Sequence, residues 1–373
     1  MHRDPERAPH LLAALSHHGH GHLAQCAPVF NALRRRIPRL RLTVYSALPR
    51  SVLAARLDGP FRHWEAPADV GMVMEGSLVV RAAASVRAYA AFHGRWEAGV
   101  AHEADRLAEL APDAVVADVP YRILEAAART GVPAAALCSL HWGEIYRAYC
   151  GAADGAAAIL AQIEAAYRCA RVFLAPEPAL SMAGLPNRVA IGPIARLGRD
   201  RREVVRRRAG LDVHGAQRLI LVAPGGIPTP LPVADWPARP GLRWLVPPES
   251  AVPRPDVIPV TTLGEAFIDV LCAGDAVITK PGYGIFTEAA CNGVPVLYVR
   301  RGDWPEEPGL IAWLRRHGRA REITGGQLRA GDLQTELRAL WAAPAPVPPL
   351  PTGIEQAATR IEALLRSDDP DGE

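Results

Sequence analysis

Asp275-Ala-Val-Ile-Thr-Lys-Pro-Gly-Tyr-Gly-Ile-Phe-Thr-Glu-Ala-Ala-Cys-Asn-Gly-Val-Pro-Val-Leu-Tyr-Val299 decides the fold. A short apolar run, a glycine turn, an apolar helical stretch and a second apolar run spell strand, loop, helix, strand, the unit from which parallel sheets are built. Gly282 and Gly284 let a backbone come close to an anion. The amides that open the following helix aim donors and the positive end of a dipole at the same place. Lys280 stands at the strand end, where it can offer a charge to phosphates or remain an ordinary surface lysine. Glu288, one turn into the helix among Ala289, Ala290 and Cys291, is placed to accept from vicinal hydroxyls; the competing reading is a solvent-facing helical glutamate.

Outward from this segment the same pattern repeats. His10–Leu15, Arg41–Ser46, Ala114–Asp118, Ala134–Cys138 and Val172–Ala175 read as buried strands, with segments of helical period between most of them. Arg218–Ala223, Arg243–Val246, Val257–Val260, Ala276–Thr279 and Val294–Val299 form a second set. The expectation is α/β: two Rossmann-like, doubly wound domains, over 1–192 and 193–343, with 344–373 a proline-rich linker and a last helix packing back. The run 196–208 carries seven arginines against Asp200 and Glu203. It reads as a solvated helix face, or as a basic helix for peripheral contact with anionic lipid.

Composition bounds the rest. With 373 residues, 49% of them hydrophobic, the chain can bury a large core, and a formal net charge of +3 gives no reason to expect a nucleic-acid partner. The six cysteines contain no CxxC pair and sit mostly in apolar runs, so buried thiols in a reducing compartment are expected. The charged start and the absence of a long apolar stretch predict a cytoplasmic protein.

The chemistry concentrates in Ser16-His-His-Gly-His-Gly-His-Leu23, after the first strand. His17, His18, His20 and His22 admit three readings. One is a metal site, for which no neighbouring carboxylate or cysteine is present in the sequence. Another is a loop of satisfied histidines. The third is a general base at the carboxyl end of the strand, where open α/β sheets bind ligands.

Lys280–Glu288, Gly293–Pro295, Arg300-Arg301 and Glu306-Glu307-Pro308, together with the histidine loop, 112–120 and His141–Tyr146, resemble the GT-B glycosyltransferases. The likeness is closest to the glycosyltransferase-like domain fused to L-arabinokinases and its bacterial relatives. The resemblance implies GT-B architecture, two Rossmann-like domains facing each other across a cleft, the first for the acceptor and the second for the donor. It implies metal-independent, inverting transfer of a hexosyl or N-acetylhexosaminyl group from a nucleoside-diphosphate sugar, a UDP-sugar first of all, to an acceptor hydroxyl. Gly21-His22-Leu23 matches the base motif, with His20 the second candidate; Asp118 matches the orienting carboxylate, although it also reads as a helix N-cap before Pro120. Lys280, Gly282, Tyr283, Gly284, Thr287 and Glu288 match the donor site, where plant-type enzymes have a histidine in place of Lys280. Glu306 and Glu307 match residues that hold the sugar, or simply cap a helix at Gly309–Arg316. The turn at Gly225 and Gly226 is a second candidate for phosphate contact, and His18 and Trp142 fall on the acceptor side. No cofactor or metal is implied; the acceptor is a small, lipid-linked or peptidic molecule. The same fold serves nucleotide-sugar epimerases, and a non-catalytic nucleotide-binding protein is the other alternative.

Overall fold

A computed structural model describes residues 7–18, 21–76, 79–225 and 231–366. The chain forms two compact units, the first holding most of the residues up to 194 together with those from 352 on, the second holding 195–351.

The first unit is built on seven strands: β1 (His10–Leu15), β2 (Arg41–Tyr45), β3 (Arg62–Trp64), β4 (Ala114–Asp118), β5 (Ala134–Leu137), β6 (Val172–Pro176) and β7 (Arg188–Ile191). They lie in the order β3-β2-β1-β4-β5-β6-β7, and the pairs are parallel. Every residue of β1, β4 and β5 is buried, the state of strands covered by helices on both faces and the reason these runs are continuously apolar. In β1 and β4 the chain ends level, Leu15 opposite Asp118.

The second unit repeats the plan with β8 (Arg218–Ala223), β9 (Leu242–Val246), β10 (Val257–Pro259), β11 (Ala276–Thr279), β12 (Val296–Tyr298) and β13 (Ala320–Glu322). Their order is β10-β9-β8-β11-β12-β13. The core on one face of this sheet includes Ile220, Trp236, Trp244, Ile278 and Leu337, all at most 2% exposed. Each sheet thus runs outward in two directions from its first strand, leaving a topological switch point at β1/β4 and at β8/β11. At such a point the two flanking loops leave the sheet on opposite faces and open a crevice at the carboxyl ends of the strands.

The last helix, Gly353–Arg366, belongs to the first unit. Its stripe Ala357, Ala358, Ile361, Leu364 and Leu365 is buried. Arg36, at the end of helix Gly21–Arg36, fastens it by bonding Thr359 and Glu362 at 2.9 and 3.2 Å and Glu355 more closely.

In the run 196–208 the exposed Arg202, Glu203, Arg207 and Arg208 form the solvated helix face read from sequence. Only Arg202–Arg208 is helical, and the arginines are spent inside the second unit: Arg196 on Glu288, Arg199 on Asp269, Arg201 and Arg208 on Glu265, Arg202 on Asp275. Arg206 is buried and donates to the carbonyls of Asp212, Gly215 and Gln217.

Candidate functional site

Each unit carries candidate residues at its own switch point. In the first unit, β1 ends at Leu15 and the chain returns as helix Gly21–Arg36, whose second residue is His22. Residues 19–20 fall outside the described residues, His20 with them. His22 and Asp118 are 5% and 0% exposed, and Nδ1 of His22 lies 2.8 Å from Oδ1 of Asp118. A carboxylate only accepts, so Nδ1 carries the proton and Nε2 is left as the basic nitrogen. Asp118 is not a helix N-cap, since the next helix begins at Arg122 after Tyr121. It is the last residue of β4, and its peptide carbonyl accepts from Ser16 at 2.7 Å, tying the two strand ends together.

The second carboxylate oxygen of Asp118 accepts from the thiol of Cys26 at 3.0 Å. Cys138 Sγ lies 3.8 Å from His22 Nδ1. His22, Asp118 and Cys138 offer ligand atoms all within 4.8 Å of one another, close enough to hold a metal ion. Two ligands at about 2.0 Å from one tetrahedral zinc stand about 3.3 Å apart. The His22–Asp118 separation is shorter, the spacing of a hydrogen bond.

Behind the histidine loop sits a residue that sequence reading missed. Asp69 is 4% exposed, accepts from the Trp142 indole at 2.7 Å and from the Ser16 hydroxyl at 3.1 Å, and burial raises its pKa above the ordinary carboxylate value. The only signal was an aspartate in the apolar stretch Ala68-Asp69-Val70. Trp142 is fully buried, so it backs the loop rather than presenting a face to an acceptor. The His18 ring meets it edge-on at 5.4 Å and the His22 ring lies at 6.0 Å. His141 caps helix Trp142–Cys150 by accepting from the Gly143 amide; burial lowers its pKa to about 4 and keeps it neutral.

In the second unit Thr279 ends β11 and its hydroxyl donates to the Ala223 carbonyl at the end of β8, 2.7 Å away. Lys280 follows. A Cβ built on Gly225, whose φ is +114°, would stand 2.9 Å from Lys280 Cε, so this glycine is what lets the lysine lie against the turn. Gly226 is outside the described residues. Burial, then the charge of Arg301, lowers the Lys280 pKa to about 7. Helix Tyr283–Cys291 starts beside it with no side-chain cap and no acid in its first turn. The amides there are satisfied by no carboxylate of this helix, and the dipole favours an anion. Gly282 is extended and a Cβ there would make only ordinary contact. The backbone does not demand glycine at that position; close approach by a ligand would.

The remaining donor-side candidates have partners of their own. Glu288 is buried and accepts from Arg196 Nε at 3.0 Å. Thr287 is buried and its hydroxyl donates to the Tyr283 and Gly284 carbonyls; Tyr283 is 5% exposed. Glu306 accepts from the Trp304 indole at 2.9 Å, and Glu307 accepts from the Arg301 amide at 2.8 Å. Oε1 of Glu307 is buried and has no hydrogen-bond partner among the described residues. That atom costs free energy unless something polar reaches it.

The chain resembles, in structure, CalG4, the calicheamicin glycosyltransferase, with a TM-score of 0.63 at 16% identity over 98% of this chain and 100% of that one. A UDP-glucosyltransferase from Polygonum tinctorium capable of glucosylating indoxyl matches with a TM-score of 0.60 at 14% identity, covering 98% and 100%. A putative UDP-N-acetylglucosamine 2-epimerase from Listeria monocytogenes matches with a TM-score of 0.55 at 13% identity, covering 98% and 99%. The fold is GT-B. No family model matches the chain, and no curated protein matches it in sequence. Proteins of this fold include transferases and a putative epimerase, so the fold by itself does not decide the activity. Among the described residues no helix is long and apolar enough to cross a membrane.

Proposed function

We propose that this chain is a glycosyltransferase that moves a sugar from a nucleoside-diphosphate sugar, a UDP-sugar in the first instance, to an acceptor hydroxyl with inversion. The observation that carries the reading is the buried 2.8 Å His22–Asp118 pair at the switch point of the first sheet. Asp118 holds the imidazole in the tautomer whose Nε2 can take the acceptor's proton and stabilises the imidazolium that results. The deprotonated oxygen attacks the anomeric carbon and the diphosphate leaves. Lys280 and the positive dipole end of helix Tyr283–Cys291 meet the charge that develops on it, in the place a metal ion would otherwise serve. Glu288, freed from or shared with Arg196, accepts from the ribose hydroxyls, and Glu307 offers its unpaired oxygen to the sugar. The transferred group is a hexosyl or N-acetylhexosaminyl unit, and the acceptor a small, lipid-linked or peptidic molecule in the cytoplasm. Kinship of the second unit with the domain fused to L-arabinokinases rests on the motifs Lys280–Glu288 and Glu306-Glu307-Pro308.

The test is thermal stabilisation by a panel of nucleoside diphosphates. One diphosphate should raise the melting temperature, Lys280→Ala should remove the shift, and His22→Ala should keep it. No shift with any member of the panel would contradict the reading, and so would a shift that depends on His22 and not on Lys280.

A further inference from the structure

We infer that the first unit carries a second, separate anion site that accepts a phosphate-bearing molecule at the amino ends of its strands. A cavity of about 670 Å³ there is lined by Arg34, Arg35, Arg39, Arg41 and Arg62, against the single acid Asp58. The volume lies in the range of sites for small molecules.

The place is distinct from the histidine loop. His10, Arg41 and Arg62 open β1, β2 and β3, whereas Leu15 and Asp118 close β1 and β4. Five residue steps along β1 separate the two ends by about 16 Å.

Ordinary reasons for the charge do not account for it. Arg34, Arg35 and Arg36 lie in the last turn of helix Gly21–Arg36, where cations suit the dipole. Arg36, however, is turned to the last helix, and Arg39, Arg41 and Arg62 are not in a helix at all. Arg35, Arg41 and Arg62 make no ion pair among the described residues, in contrast with the arginines of 196–208. Arg34 donates Nη2 to the Pro60 carbonyl, and its Nη1 is buried with no hydrogen-bond partner among the described residues. A planar donor fork held at the wall with an unused N–H, ringed by four more guanidiniums, matches the oxygens of a phosphate or diphosphate. The inner neighbour, His10, is engaged on both ring nitrogens, by Thr43 at 2.8 Å and the Leu110 carbonyl at 3.1 Å, so it adds no competing acceptor.

The experiment titrates pyrophosphate into the full chain carrying Lys280→Ala, which removes the cation proposed for the donor's phosphates, and into the same chain with Arg41→Glu and Arg62→Glu added. Arg34→Gln serves as an independent variant, and the melting curve of each confirms folding; residues 41 and 62 are exposed. Saturable binding is expected in the first, weakened about tenfold or more by either change, the scale of one lost charge-assisted bond. Failure of pyrophosphate to bind, or binding untouched by the arginine changes, would overturn the inference. Vesicles of phosphatidic acid, against phosphatidylcholine alone, identify the source of the phosphate. Co-sedimentation that needs the same arginines assigns a lipid headgroup, and pyrophosphate binding without co-sedimentation assigns a soluble phosphorylated molecule.

Discussion

Asp118→Asn tests the acid–base half of the account by changing one atom. In the native site Oδ1 accepts from His22 at 2.8 Å and Oδ2 accepts from Cys26 at 3.0 Å. An amide at this position cannot accept on both sides. With its NH₂ toward His22, the imidazole must keep its proton on Nε2, where it can no longer receive the acceptor's proton. With its oxygen toward His22, the NH₂ faces the Cys26 thiol and the stabilising charge is still lost. A hydrogen bond to a charged partner is worth about 1.5–3 kcal/mol, or roughly ten- to a hundredfold in rate. The wrong tautomer adds to this, and the equivalent exchange in serine-protease triads costs about ten-thousandfold. The expected loss in kcat is therefore between about ten- and ten-thousandfold, with KM for the donor little changed, because Asp118 belongs to the first unit and the proposed phosphate contacts, Lys280 among them, to the second. The assay is release of nucleoside diphosphate from the stabilising donor at saturating acceptor, beside a thermal melt to confirm folding. A folded variant with kcat within about threefold of the parent would refute the dyad as the source of the base.

Other outcomes follow from single contacts. Lys280, with its pKa near 7, binds a diphosphate best when protonated; binding raises that pKa, so donor affinity should be full below pH 7 and fall by up to about tenfold per unit above it, as titration calorimetry from pH 6 to 9 would show. For the unliganded fold the sign is opposite: the unfolded chain holds the Lys280 proton up to 10.5, so this group's contribution makes stability rise with pH between about 7 and 10.5. Trp142→Phe removes the donor that bonds Asp69 at 2.7 Å and should lower stability by about 1–3 kcal/mol in denaturant titrations, the cost of a buried acceptor left unpaired. Gly353→Ala puts a Cβ 2.0 Å from the Gly192 carbonyl, which should loosen the last helix and raise hydrogen exchange over 353–366 ahead of the sheet.

Much of this architecture is legible in the sequence because it is local. Runs such as His10–Leu15 and Ala114–Asp118 are apolar throughout because both faces of a parallel strand are covered, and the glycine turn before Tyr283 announces the end of a strand and the start of a helix. The edge strands escaped this reading: Arg62–Trp64, Arg188–Ile191 and Ala320–Glu322 are short and partly exposed, so their composition is mixed. Partner choice was the other blind spot. That Arg196 would take Glu288, that Trp142 would give its indole proton to Asp69, and that Cys26 would lean on Asp118 are contacts across 92, 73 and 92 residues of chain. Nothing in their spacing encodes them; packing alone brings them together. The His22–Asp118 pair spans 96 residues too, and it was reached through the resemblance of Gly21-His22-Leu23 to a known motif.

The most direct test of transfer by an inverting His22 base is the anomeric configuration of the product. The protein, the nucleotide sugar that stabilises it and a panel of hydroxyl acceptors would be followed by proton NMR, with His22→Ala alongside. The account predicts a glycoside of configuration opposite to the donor's, formed by the parent and lost in His22→Ala, which still binds the nucleotide. A product of retained configuration, or a nucleotide sugar inverted at C2 with no acceptor consumed, would contradict it.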